Sequence, residues 1–130
     1  EKASLSRRDT HNYDEQGNEI RRNDYDSDGS LTYRYTYKYD EQGNNIEKNS
    51  YNPDGSLSSR ATYRYNEQGN EMEENSYNPD SSLALSRTQK YEYDNMGNWI
   101  QRVSFEDKSN GDFISLKPIF VAERKIEYYE

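Results

Sequence analysis

The chain has 130 residues, with 25 acidic against 17 basic side chains and a formal net charge of −8. This length fits one domain, and the negative charge argues against nucleic acid or an anionic membrane surface as a partner, because both are polyanions. The chain has no cysteine and one histidine, which excludes a disulfide framework and a histidine-rich metal cluster, and no apolar run approaches the roughly 18 residues of a membrane-spanning helix.

In chain order, residues 1–10 are a lead-in to a tandem repeat that occupies residues 11–104. The repeat contains two kinds of turn motif. The first, which we call the Gly-Asn turns, follows Tyr13, Tyr39, Tyr65 and Tyr93 and covers residues 14–18, 40–44, 66–70 and 94–98. The second, the Ser-Leu turns, covers residues 26–30, 52–56 and 78–82, the last Ser of each being followed by Leu. Because both motifs recur about every 26 residues, each repeat is predicted to be strand, turn, strand, turn.

Both motifs have the chemistry of a tight hairpin. In Asp14-Glu15-Gln16-Gly17 an aspartate opens the turn and a glycine stands three residues later, which suits a type I turn followed by a left-handed residue. The glycines predicted to have this structural role are Gly17, Gly29, Gly43, Gly55, Gly69 and Gly97. Serine replaces glycine at Ser81, so we expect that turn to be looser.

Apolar and polar residues alternate between the turns, as in Leu31 to Tyr39, and this period of two predicts strands. The fold class is therefore all-β: a curved antiparallel meander of tandem β-hairpins with about eight to ten strands. One offset departs from the simple pattern, because apolar residues such as Ile20 and Tyr25 stand five apart, an odd separation. We predict a β-bulge in each returning strand.

Residues 105–130 are richer in aliphatic and aromatic side chains than the repeats. They are predicted to be capping strands, with a final strand at residues 123–129, because repeat arrays need atypical end units. A single-layer sheet leaves a tyrosine-rich face in need of cover. We expect the sheet to curl and receive this tail, and a homodimer is the alternative.

A family resemblance rests on Tyr91-Glu92-Tyr93-Asp94-Asn95-Met96-Gly97-Asn98-Trp99 and on the 26-residue recurrence of Tyr-Asp-x-x-Gly-Asn. These motifs resemble the YD repeats of the RHS family, and with residues 123–129 the chain looks like the short exported YD-repeat proteins of Bacteroidetes-type bacteria. The resemblance covers residues 11–130 and implies an exported protein, in the periplasm or at the cell surface. Large RHS proteins enclose cargo in a hollow β-shell, but four repeats are too few to close one, so that function does not carry over.

The aromatic residues admit two interpretations. In the first, the tyrosines form the core of a protein that is short of leucine and valine. In the second, the exposed rings stack on sugar rings or on a protein partner. The candidate ligand-binding residues are Tyr33, Tyr35, Tyr63 and Trp99.

A calcium loop is a weaker candidate. Asp24, Asp26 and Asp28 match the opening of such a loop, but its twelfth position is Tyr35, where a bidentate glutamate is needed. A turn is the preferred interpretation, and no metal site is predicted.

The sequence predicts neither enzyme activity nor a cofactor. Paired carboxylates such as Asp14/Glu15 and Asp40/Glu41 recur with the repeat, whereas an active site needs one unique constellation. The predicted function is a structural or recognition module whose partner is an unknown protein or a glycan. The alternatives are a carbohydrate-binding module that uses exposed Tyr and Trp rows, and a fragment of a larger RHS-like β-shell.

Overall fold

The computed structural model describes residues 6–107 and 118–128. They form one nine-stranded antiparallel sheet whose strand order follows the chain, and they contain no helix. The strands are β1 (Arg8–Tyr13), β2 (Glu19–Tyr25), β3 (Leu31–Tyr39), β4 (Asn45–Tyr51), β5 (Leu57–Tyr65), β6 (Glu71–Tyr77), β7 (Leu83–Tyr93), β8 (Trp99–Asp107) and β9 (Pro118–Glu123). The predicted all-β hairpin meander is confirmed, while residues 108–117 of the predicted cap lie outside the described residues.

The turns have the predicted geometry. In the Gly-Asn turn 40–44, the Gly43 N–H donates to the Asp40 carbonyl at 3.1 Å and the Asp40 N–H donates to the Asn44 carbonyl at 3.0 Å. All six predicted turn glycines have positive φ, from 78° at Gly69 to 88° at Gly29. A residue with a Cβ is strained in this conformation, which explains why glycine recurs at these positions.

Ser81 departs from the prediction. Its φ is 69°, and its N–H donates to the Asn78 carbonyl at 2.9 Å, as the glycine N–H does in the other turns. The expectation of a looser turn is therefore wrong. The turn keeps its hydrogen bonds, and Ser81 adopts the left-handed conformation that its Cβ disfavours.

The predicted bulges are present. Tyr39 pairs with Asn45, but its neighbour Lys38 pairs with Glu47, so Ile46 is an extra residue in β4. The same one-residue slip occurs in all eight adjacent strand pairs. The bulge is thus a property of every hairpin and not only of the four returning strands for which it was predicted.

The described part of the sheet has no apolar interior. None of its hydrophobic side chains is buried, and its one buried residue is Asn49, which is 4% exposed. The Asn49 amide donates to the Glu47 carboxylate at 2.7 Å, and its oxygen accepts from the Arg60 guanidinium at 2.8 Å. The interpretation of the tyrosines as a buried core is therefore wrong for these residues, because a single layer covers each ring on one side only.

The C-terminal segment extends the sheet. Strand β9 pairs with β8, with Val121 opposite Val103, so it adds an edge and does not lie across a face. Within the described residues each strand packs only on its neighbours in the chain, and the sheet stays open. The last strand ends at Glu123, and residues 124–128 are not part of it, which corrects the prediction of a strand at residues 123–129.

Candidate functional site

Tyr33 and Tyr35 form an aromatic pair in which Tyr33 is exposed and Tyr35 is half-buried. Strand β3 places them on one face, because side chains two residues apart in a strand point the same way. Their ring centroids are 6.2 Å apart, and Tyr33 is 44% exposed. The structure therefore brings together two of the four predicted ligand-binding residues.

Neighbouring strands supply cations to this pair. The Arg22 guanidinium carbon of β2 lies 5.5 Å from the Tyr35 ring centroid, and the Lys48 ammonium nitrogen of β4 lies 5.2 Å from it. Such contacts stabilise the ring through its negative π-face. The protein's own cations thus take part of the ring surface on which a sugar would stack.

Tyr63 and Trp99 lie elsewhere on the sheet. Burial raises the pKa of the half-buried Tyr63 on β5, and the Glu74 carboxylate opposite it adds to this effect. Trp99 packs against Arg124, whose guanidinium carbon is 4.1 Å from the ring centroid. Strands β3 and β8 are five strand spacings apart, about 24 Å, so the four predicted residues do not form one platform.

The three aspartates of the calcium candidate accept hydrogen bonds from other groups of the protein. The Asp24 carboxylate accepts two hydrogen bonds from the Arg22 guanidinium, at 2.7 and 3.0 Å. Asp26 and Asp28 accept the Ser30 backbone N–H at 3.1 and 2.8 Å, and hydrogen bonding from Ser30 lowers the pKa of Asp28. Residues 6–107 and 118–128 contain no group of three or more side chains placed to hold a metal ion.

His11, the one histidine, lies on the edge strand β1. Its Nδ1 is 2.8 Å from the Glu19 carboxylate, and its ring stacks with Tyr13 at 6.3 Å between centroids. These contacts hold the imidazole against its neighbours on the sheet.

Three tyrosine hydroxyls bond the backbone of the preceding hairpin. The donor–acceptor pairs are Tyr39 to Glu19 at 2.8 Å, Tyr65 to Asn45 at 2.9 Å and Tyr91 to Glu71 at 2.8 Å. Each acceptor carbonyl lies outside the hydrogen-bonded ladder between its own strand and the next. The β4–β5 pairing, for example, begins at Glu47, two residues after Asn45. This role is not evident from the alternation within each strand, although the 26-residue spacing of these tyrosines is a signal for it.

Two grooves separate successive Gly-Asn turns at one end of the sheet. The first, of about 730 Å³, lies between turns 14–18 and 40–44, and Ile20, Tyr37 and Ile46 contribute to its lining. The second, of about 590 Å³, lies between turns 40–44 and 66–70. The turn side chains that line them are Asp14, Gln16, Asn18, Asp40, Glu41, Gln42, Asn44, Asn66, Glu67 and Gln68. Sequence reasoning assigned these residues to turns and did not reveal the grooves.

The third Gly-Asn turn receives a tyrosine hydroxyl from strand β7. The Tyr93 hydroxyl accepts hydrogen bonds from the side-chain amides of Asn66 and Asn70, the second at 3.1 Å. This contact joins the end of one hairpin to the turn of the one before it.

The fourth Gly-Asn turn receives a tyrosine hydroxyl from the C-terminal segment. The Tyr128 hydroxyl donates to the Asp94 carboxylate and accepts from the Asn98 amide. The bond from Tyr128 lowers the pKa of Asp94. Tyr128 therefore contacts the fourth turn as Tyr93 contacts the third.

The fold and these contacts define the chain as an open β-hairpin repeat. It matches no protein-family model, and no curated protein matches it. No helix among the described residues has the length and hydrophobicity needed to cross a membrane.

Proposed function

We propose that the chain is a non-enzymatic structural or recognition module built from YD-like β-hairpin repeats and exported to the periplasm or the cell surface. The observation that carries this proposal is the repetition of its polar contacts, since Tyr39, Tyr65 and Tyr91 each bond a carbonyl 20 residues earlier. Catalysis needs one unique, preorganised set of side chains, whereas contacts that recur in every repeat are typical of a structural scaffold. The resemblance to exported YD-repeat proteins supports the location.

A protein partner fits the open sheet. Its described residues expose large side chains at Tyr13, Tyr33 and Phe120, which are 58%, 44% and 49% accessible. Its grooves are bordered by carboxylates and amides, the groups that select a polar or basic segment. Recognition would therefore use surface that the repeats present side by side.

Parallel binding to peptide and glycan arrays tests the recognition function. We expect the purified chain to bind peptides, with basic sequences preferred because of its net charge of −8. Absence of binding on both arrays would contradict recognition.

The second candidate is a carbohydrate-binding module, which the Tyr33–Tyr35 pair with its exposed Tyr33 ring favours. It predicts glycan binding that disappears when Tyr33, Tyr35, Tyr63 or Trp99 is changed to alanine. Tyr13→Ala is the matched control, because Tyr13 is 58% exposed but lies outside this set. Glycan binding with this pattern would replace the proposed protein partner.

The third candidate is a fragment of a larger RHS-like β-shell. The open strand order favours it, because β1 and β9 are edge strands that pair on one side within the described sheet. Further repeats could continue the ladder at such an edge. The length of the complete gene product decides this candidate: a product without further repeats excludes it.

A further inference from the structure

The four Gly-Asn turns share one backbone geometry. The N–H of the first residue donates to the carbonyl of the fifth at 2.9 Å from Asp14, 3.0 Å from Asp40, 2.9 Å from Asn66 and 2.9 Å from Asp94. The first and last side chains of each turn are therefore held in equivalent positions. A ligand group that fits one turn therefore meets the same backbone geometry in the other three.

The turns differ in the partner of the last asparagine. In turn 66–70 the side-chain amide of Asn70 donates to the Tyr93 hydroxyl. In turn 94–98 the side-chain amide of Asn98 donates to the Tyr128 hydroxyl. In the first two turns the amide donates to the aspartate of its own turn, at 3.0 Å from Asn18 and 2.9 Å from Asn44. A hydroxyl both donates and accepts, so a phenol inserted there satisfies the amide and the carboxylate together, as Tyr128 does in the fourth turn.

The first two turns also have room for a ring. The groove of about 730 Å³ is lined by the polar pair Asp14 and Asn18, and by Ile20 and Tyr37. The groove of about 590 Å³ is lined by Asn44 and its turn. An aromatic ring meets Ile20 and Tyr37 in the first groove and the Tyr65 ring in the second, and its hydroxyl meets the Asp–Asn pair of the turn.

The charge of the grooves selects the segment that carries the ring. Asp14, Asp40 and Glu41 line the first groove, and its one cation, Lys38, has its ammonium 2.9 Å from the Glu47 carboxylate. Residues 124–128, which supply Tyr128 to the fourth turn, carry Arg124 and Lys125 against the one carboxylate of Glu127, a net charge of +1.

From these contacts we propose that the Gly-Asn turns 14–18 and 40–44 bind a tyrosine hydroxyl from a basic segment of a partner protein. The inference deepens the recognition function proposed above and rests on it. The incoming hydroxyl takes the place between carboxylate and amide that Tyr128 occupies in the fourth turn.

The test uses a synthetic peptide with the sequence of residues 124–128, whose net charge is +1, titrated into the isotopically labelled full chain. The readout is the nuclear magnetic resonance of the side-chain amides of Asn18 and Asn44. We expect both signals to shift and saturate, and a peptide carrying Tyr128→Phe to bind about tenfold more weakly, because it lacks the hydroxyl. This comparison leaves the protein unchanged, so it does not depend on a variant that folds.

Protein variants provide the second arm. The double variant Asn18→Ala/Asn44→Ala is expected to lose peptide binding, and Asn52→Ala in a Ser-Leu turn, whose amide donates to Ser56, is the matched control. Equal binding of the two peptides, or shifts confined to Asn98, would overturn the inference. Self-association of the chain that Tyr128→Phe abolishes would overturn it too, because the turns would then bind a second copy.

The two proposals fail separately. Binding on the peptide array without shifts at Asn18 and Asn44 would reject these two turns and leave recognition in place. Absence of binding on both arrays and in the titration would reject both.

Discussion

Single tyrosines stabilise this sheet through two groups, the ring and the hydroxyl. The ring of Tyr35 lies between Arg22 and Lys48 on one face. The hydroxyl of Tyr65 donates to the Asn45 carbonyl at 2.9 Å. This carbonyl lies outside the β4–β5 ladder, which begins at Glu47. A half-buried phenol thus contributes hydrogen bonds that a leucine could not.

Removal of one of these hydroxyls should destabilise the protein measurably. We expect Tyr65→Phe to lower the free energy of unfolding by about 1 kcal/mol, the usual contribution of one hydrogen bond. Urea denaturation followed by circular dichroism measures the change. Tyr33→Phe is the control, because the described structure gives the Tyr33 ring a neighbour in Tyr35 but gives its hydroxyl no hydrogen bond. Equal losses in the two variants would contradict the role assigned to Tyr65.

The left-handed serine offers a stabilising change. Ser81 has a φ of 69°, where a Cβ costs about 1–2 kcal/mol. We expect Ser81→Gly to raise the free energy of unfolding by about 1 kcal/mol, and Gly55→Ser in the sister turn to lower it similarly. Chemical denaturation of both variants checks this pair. A destabilised Ser81→Gly protein would show that the strain is not the controlling effect.

At the scale of the hairpin, the turn carboxylates act as caps for backbone N–H groups. The Asp40 carboxylate accepts from the Gln42 and Asn44 N–H groups at 3.0 and 2.8 Å. Hydrogen bonding, first from the Asn44 side chain, lowers the pKa of Asp40 below its ordinary value of 3.8. In the third turn the Asn66 oxygen makes the corresponding bonds, at 3.1 and 2.9 Å. The turn therefore works with either acceptor.

These lowered pKa values predict acid sensitivity. A carboxyl whose pKa is lower in the folded state stabilises the protein above its unfolded pKa, and this stabilisation is lost as the pH falls through the folded pKa. We expect the free energy of unfolding to fall below about pH 4, and to fall less in Asp40→Asn, which copies the turn that has Asn66. Denaturation at a series of pH values measures the slope, and Glu41→Gln controls for the change in net charge. An unchanged acid slope in Asp40→Asn would contradict the capping role.

At the scale of the whole molecule, the described sheet is an array of nearest-neighbour contacts. Each strand packs on the strands before and after it, and the strand order from β1 to β9 is that of the chain. Stability in such an array is a sum over repeats and their interfaces. A repeat can therefore be removed without disrupting a common interior.

Excision of residues 40–65 tests this description. The deletion removes one 26-residue repeat and joins Tyr39 to Asn66, which restores a Gly-Asn turn. We expect a β-sheet circular dichroism spectrum and a lower denaturation midpoint, because one repeat and one interface are lost. Excision of residues 40–64 is the control, since it leaves Tyr65 as one extra residue before the turn and so shifts the pairing of the joined strand with the next strand by one residue. An unfolded 26-residue deletion would show that the array depends on longer-range contacts.

The order of residues determined the strands, the turns and the bulges, because each follows from local chemistry. The alternation over residues 31–39 predicts a strand, and the six glycines with positive φ lie where the turn motifs require them. Even the bulge at Ile46 follows from an odd spacing within one strand. These features depend on residues that are close along the chain.

The tertiary structure decided which of these residues meet. The bonds from Tyr39 to Glu19 and from Tyr128 to Asp94 join residues 20 and 34 apart, and no local pattern specifies them. They depend on the register between strands, which each bulge changes by one residue. Because the sequence does not show this register, it grouped Tyr35 with Trp99, although five strand spacings separate their strands. It also did not reveal the grooves between the Gly-Asn turns. The absence of a buried apolar side chain among the described residues is likewise a result of layering, since one sheet without a second layer covers each ring on one side only.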